Sequence, residues 1–129
     1  MSEENLAVVR AIHAAWLAGE RADEWMAADI EYVNPDYAVE PGTAVGRDAF
    51  TRVYEIWEEF RFEPEQLVAA GPDEVVAIGT AHAGESSVIP VSGRLAYVWT
   101  IRDGRAVRFR WFREVNEALE AAGLPAETA

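Results

Sequence analysis

Residues 97–124 read YVWTIRDGRAVRFRWFREVNEALEAAGL, and this stretch decides the fold. Asp103-Gly104 sits between two β-rich runs, and a two-residue type I′ turn needs positive φ at both central positions, which this pair tolerates best. Strands from about Leu95 and to about Phe112 are therefore expected to pair antiparallel. Past Glu114 the period lengthens: Val115, Ala118, Leu119 and Ala122 share one helical face. Gly123-Leu124-Pro125 then supplies a left-handed stop, an apolar cap contact and a breaker. The short helix so defined needs a surface to lie on.

Working outward, 129 residues with 50% hydrophobic content suit one globular domain, residues 1–129, with a core of its own. No apolar run approaches the roughly 18 residues that span a bilayer. The acidic start MSEENLAVVR shows no basic leader or small-residue cleavage site, so a cytoplasmic protein without membrane association is expected. With no cysteine, disulfides, thiolate metal sites and thiol nucleophiles are excluded.

A net charge of −12 argues against general affinity for nucleic acid or anionic membrane. The charge is uneven, because six of the 11 basic residues, all arginine, lie between Arg94 and Arg113 with only Asp103 opposing them. Arginines alternating with Phe109 and Trp111 read as the outward half of a pleat, paired with the surplus acids; the other reading is an anion site.

Toward the N-terminus, Ser2 can cap a first helix whose inward residues Leu6, Val9, Ile12, His13, Trp16 and Leu17 follow the 3.6 period until Gly19. A shorter helix is expected from about Asp23 to Ala28, then a strand from Ile30 to Asn34 ended by Pro35. PDYAVEPGTAVG is rich in turn formers and reads as a loop. A third helix is expected from Arg47 to about Phe60, followed by strands over about 61–70, 74–83 and 93–101. Helices first and antiparallel strands afterwards define an α+β arrangement with a curved sheet.

This order resembles the SnoaL-like branch of the NTF2-like superfamily, as do AAWLAGERAD, EYVNP, VGRDAF and SGRLAYVWTIRDGRAVRFRWFREVNEALEAAGL. The resemblance implies a ketosteroid isomerase-like cone, in which a mainly antiparallel sheet wraps around helices and an internal apolar pocket, commonly in a homodimer. Related activities include isomerases, polyketide cyclases, dehydratases and epoxide hydrolases, so the fold alone names no reaction.

Strand alternation provides candidates for that pocket. The even residues Val76, Ile78, Thr80 and His82 form one set. Leu95, Tyr97, Trp99 and Ile101 form a second, and Val107, Phe109 and Trp111 a third. Tyr32 and Asn34 come from the short strand, and Trp16, Tyr54 and Trp57 from helices. The expected ligand-binding residues are thus Trp16, Tyr54, Trp57, Tyr97, Trp99, Phe109 and Trp111, around a small apolar organic ligand.

His82 is the candidate acid or base, since imidazole exchanges protons near neutrality; otherwise it is a core histidine satisfied by a neighbour. His13 reads as a helix-packing histidine. Tyr32 and Asn34 project to one side and can jointly position an oxygen or water, or stabilise the strand edge. By resemblance to limonene epoxide hydrolase-like proteins, Tyr-x-Asn positions water. The acidic and basic positions of that branch correspond here to His82, Thr80 and Trp111, which disfavours epoxide hydrolysis. A ketosteroid isomerase-like reaction needs a carboxylate base and an oxyanion donor. Tyr54, Tyr32 or Tyr97 could donate, yet no strand carries an inward carboxylate, and Asp36 reads as a solvated turn residue or a group at the pocket mouth.

Two dispersed histidines, no HExxH, no P-loop and no GxGxxG predict neither a metal nor a cofactor. Ser86-Ser87 in GESSV lacks the second glycine of a nucleophile elbow. The expectation is a ligand-binding protein with cofactor-free acid-base chemistry of isomerase, cyclase or dehydratase type. The alternatives are a non-catalytic carrier or sensor, or a dimeric interaction module using the Arg108 and Arg110 face.

Overall fold

A computed structural model describes residues 2–38, 41–50, 60–83 and 93–127. Helix α1 (Ser2–Leu17) is followed by strands β1 (Met26–Asn34), β2 (Gly42–Val45), β3 (Phe60–Ala70), β4 (Glu74–Ala83), β5 (Gly93–Arg102) and β6 (Arg105–Phe112), then helix α2 (Val115–Ala121). The strands form one curved, unclosed sheet in the order β2-β1-β6-β5-β4-β3. All neighbours are antiparallel except β1 and β6. This is an α+β fold.

The β5–β6 hairpin forms as its turn chemistry predicts, with φ of 52° at Asp103 and 76° at Gly104. At the end of α2, Gly123 takes φ 77°. The Leu124 N–H donates to the Leu119 carbonyl at 2.8 Å and the Gly123 N–H to that of Glu120 at 3.0 Å, closing a Schellman cap. Leu124 packs back onto the cluster beneath the helix.

Three boundaries differ from the sequence expectation. Asp23–Trp25 is a single 3₁₀ turn, and β1 begins already at Met26, where a helix continuing to Ala28 is expected. Met26 registers with Ala106 of β6 and is fully buried, so long-range pairing overrides local helix preference. Within the expected loop, Gly42–Val45 pairs with β1 as an edge strand. All four residues are exposed, so no apolar alternation marks it. Arg47–Phe50 forms a 3₁₀ turn, fastened by the Arg47 guanidinium, which donates to the Met26 carbonyl at 2.8 Å and 3.1 Å. The rest of the expected third helix, including Tyr54 and Trp57, lies outside the described residues, as does Ser86-Ser87.

The sheet is covered on both sides. On the α1 side, Val9 and Ile12 pack with Met26, Ile30, Phe50, Phe62, Val75, Ala77, Tyr97, Trp99 and Phe109. On the opposite side, α2 places Val115, Ala118 and Leu119 over Val76, Ile78, Ala96 and Val98. Every residue from Leu95 to Ile101 is consequently buried. A central strand covered twice loses the polar alternation that would reveal its two faces.

Candidate functional site

The α1 side of the sheet carries an aromatic lattice whose members come from six separate elements: α1, β1, the Arg47–Phe50 turn, β3, β5 and β6. Residues directly opposite on neighbouring strands share a side of the sheet, and the registers Ala77↔Tyr97, Tyr97↔Trp111 and Trp99↔Phe109 run across it. Tyr97 lies 4.3 Å from the Phe62 ring centroid and 4.8 Å from that of Phe109. Tyr32 meets Phe109 at 5.0 Å and Phe50 at 4.9 Å. Trp16 contributes from α1, 5.6 Å from Trp99 and 5.9 Å from Phe50.

At the centre sits His13, which is only 2% exposed. Its Nε2 accepts a hydrogen bond from the Trp99 indole N–H at 3.1 Å. Indole nitrogen can only donate, so the neutral imidazole carries its proton on Nδ1. The ring stacks with Tyr97 at 5.8 Å and meets the Trp16 ring edge-on at 5.5 Å. Burial pushes the His13 pKa down to about 3, because desolvation penalises the cation. The bond also gives Trp99, which is completely buried, the partner its N–H requires.

Burial acts in the opposite direction on the phenols. The Tyr32 pKa is pushed up to about 12. Tyr97 is raised further, first by desolvation and then by its proximity to Tyr32. Both remain neutral hydroxyls at physiological pH, and neither hydroxyl has a hydrogen-bond partner among the described residues. No carboxylate is buried among those residues, where Asn5, His13 and Thr100 are the buried polar side chains.

His82 does not join this lattice. The register Ala77↔Tyr97 puts Val75, Ala77 and Ala81 on the α1 side and turns the even positions of β4 to the other. Val76 and Ile78 lie under α2, while the His82 side chain is 55% exposed with its Nε2 3.7 Å from Glu63 Oε2. The expected inward parity of this strand is therefore corrected. Both of its faces are apolar, so its sequence offers no choice between them.

Tyr32 and Asn34 do share a side, and they engage different partners. Asn34 Oδ1 accepts the Trp111 indole N–H at 2.8 Å, which anchors the half-buried Trp111 at the rim of the lattice. Tyr97, Trp99, Phe109 and Trp16 pack together in this lattice, whereas Asp36 is exposed in a turn. Sequence reasoning leaves His13 aside as a helix-packing residue. Its i+4 and i−3 spacing from Val9 and Trp16 is the signal that places it on the buried stripe.

On the other side of the sheet the arginines are internally paired. Arg110 Nη2 bonds Glu74 Oε2 at 2.8 Å, and Arg108 Nε bonds Glu31 Oε1 at 2.8 Å. Arg94 pairs with Glu127 at 2.9 Å. Three of the six clustered arginines are thus paired with acids distant in sequence.

A profile of the SnoaL-like domain matches residues 8–109. The chain belongs to the SnoaL-like family. Among solved structures, an NTF2-like protein of unknown function from Burkholderia pseudomallei is 21% identical, with a TM-score of 0.69 over 91% of this chain and 95% of its own. TerC, co-crystallised with polyporic acid, is 23% identical, with a TM-score of 0.65 over 93% and 98%. A putative polyketide cyclase from Sinorhizobium meliloti is 19% identical, with a TM-score of 0.65 over 82% and 94%. These similarities establish the fold of the SnoaL-like domain. No curated protein matches the chain significantly. No helix among the described residues is long and apolar enough to cross a membrane.

Proposed function

We propose that this SnoaL-like protein binds a small aromatic or otherwise apolar organic molecule on the α1 side of its sheet, with the Tyr97 hydroxyl donating to an oxygen of the ligand and Tyr32 assisting. The observation that carries this reading is Tyr97 itself. It is 7% exposed, surrounded by the rings of His13, Phe62 and Phe109, and its hydroxyl has no partner among the described residues. A neutral phenol whose oxygen bonds no other described residue can donate to a ligand carbonyl, for a net gain of about 1 kcal/mol. The aromatic surroundings would hold the remainder of the molecule. TerC, co-crystallised with polyporic acid, lends support as a relative in fold.

The same geometry favours binding and polarisation over proton transfer. His13 has its Nε2 lone pair committed to Trp99 and stays uncharged at neutral pH, so it is a poor base. His82 stands on the other side of the sheet. A neutral phenol can still stabilise charge developing on a carbonyl oxygen, which leaves an oxyanion-type role to Tyr97. Calorimetric titration with 2-naphthamide, an apolar ring system bearing one carbonyl, tests the reading. Tyr97→Phe should weaken binding by roughly five- to tenfold, as loss of one hydrogen bond does. Equal affinity for both proteins would remove Tyr97 from the site.

A further inference from the structure

At the exit of β6 the α1 side changes from buried to exposed: Phe109 is 2% exposed, Trp111 half-buried and Arg113 exposed. A linked polar group stands at this rim. The Arg113 guanidinium lies 4.0 Å from the Tyr37 ring centroid, and the Arg113 backbone N–H donates to the Tyr37 hydroxyl oxygen at 2.8 Å. Tyr37 in turn meets Trp111 edge-on at 5.8 Å, and Trp111 is tied to Asn34. The ring contact and the backbone bond together hold a cation beside the aromatic lattice.

Two features of this group point to an anion. Arg113 makes no ion pair among the described residues, although acids outnumber basic residues 23 to 11 in the chain and Glu114 and Glu117 lie close enough to act on Tyr37. Asn34 presents its oxygen to Trp111, so its amide N–H₂ is turned away as a donor with no partner among the described residues. Cationic and amide donors beside an apolar surface suit a planar, delocalised anion better than a neutral head.

We infer that the ligand is an amphiphilic organic acid that places one oxygen on Tyr97 and its apolar body against Phe109 and Trp111, and whose carboxylate is received at the rim by Arg113, with Asn34 as a second donor. This rests on the binding reading above and assigns Arg113 the choice between acids and their neutral isosteres. The remainder of the chain is strongly acidic and repels anions, so without this cation an acid should be disfavoured.

The test compares 6-hydroxy-2-naphthoate with 6-hydroxy-2-naphthamide, whose ring hydroxyl supplies the oxygen for Tyr97, at pH 7.5 by calorimetry, on the wild type and on Arg113→Gln, with circular dichroism to verify the fold. Arg113 is exposed and its bond to Tyr37 comes from the backbone, so the variant should fold normally. In the wild type the acid should bind about tenfold or more tightly than the amide, as a charge-assisted bond does. In Arg113→Gln that preference should vanish while amide affinity stays constant. Equal binding of acid and amide by the wild type, or an acid preference surviving in the variant, overturns the assignment of Arg113 and leaves the aromatic site standing. Failure of both compounds to bind the wild type overturns the site together with its head-group preference.

Discussion

Replacing His13 by Gln should make stability less dependent on pH, and the size of the effect follows from where the imidazole sits. Unfolded, the ring titrates near 6.5; folded, burial depresses it to about 3. Below 6.5 the unfolded chain therefore binds a proton that the native chain refuses. The contribution of the neutral ring is complete above that value and is lost as pH falls toward 3. Between pH 7 and pH 4.5 this linkage amounts to about 2–3 kcal/mol. Gln can still offer an oxygen to the Trp99 N–H but does not titrate. Urea denaturation of both proteins at the two pH values isolates the effect, because groups distant from residue 13 cancel in the difference. The wild type should lose about 2–3 kcal/mol more than the variant on acidification. Parallel losses would refute the buried, neutral imidazole and with it the His13–Trp99 bond as the polar centre of the lattice.

Two further outcomes test the frame around the site. A Cβ added at Gly79 would lie 2.1 Å from the Glu63 carbonyl oxygen and 2.8 Å from Phe62 Cζ, where the β3 bulge between Pro64 and Gln66 presses on β4. Gly79→Ala should therefore destabilise by about 3 kcal/mol or more, and an unchanged melting temperature would show that the two strands are not so close. Glu74→Gln removes the carboxylate that receives Arg110, whose Nε is already buried without a partner. A loss of about 1–2 kcal/mol is expected, with coupling to Arg110→Gln in a double-mutant cycle; additive losses would deny the pair any energetic role.

Local chemistry made much of this fold readable. Asp103-Gly104 and Gly123-Leu124 adopt the turn and cap that their conformational preferences require, and α1 ends where Gly19 interrupts its stripe. The parts that escaped depend on long-range pairing. β2 is an exposed edge strand held by backbone bonds to β1, and Met26 enters a strand because Ala106 lies alongside it. The orientation of β4 was illegible for a related reason: Val75 and Ala77 serve one apolar core and Val76 and Ile78 another. That ambiguity displaced His82, the residue with the most obvious chemistry, from the site. His13 was visible on its helical stripe, yet its bond to Trp99 joins residues 86 positions apart and has no sequence signature.

The central claim is that ligands meet the lattice around Tyr97 and not the exposed imidazole of His82. Aromatic ¹³C–¹H spectra recorded during addition of 2-naphthamide test it most directly. Resonances of Tyr97, Phe109 and Trp111 should shift in a saturable manner while those of His82 stay in place. Saturable shifts at His82, with the Tyr97 and Phe109 signals unmoved, would contradict the account.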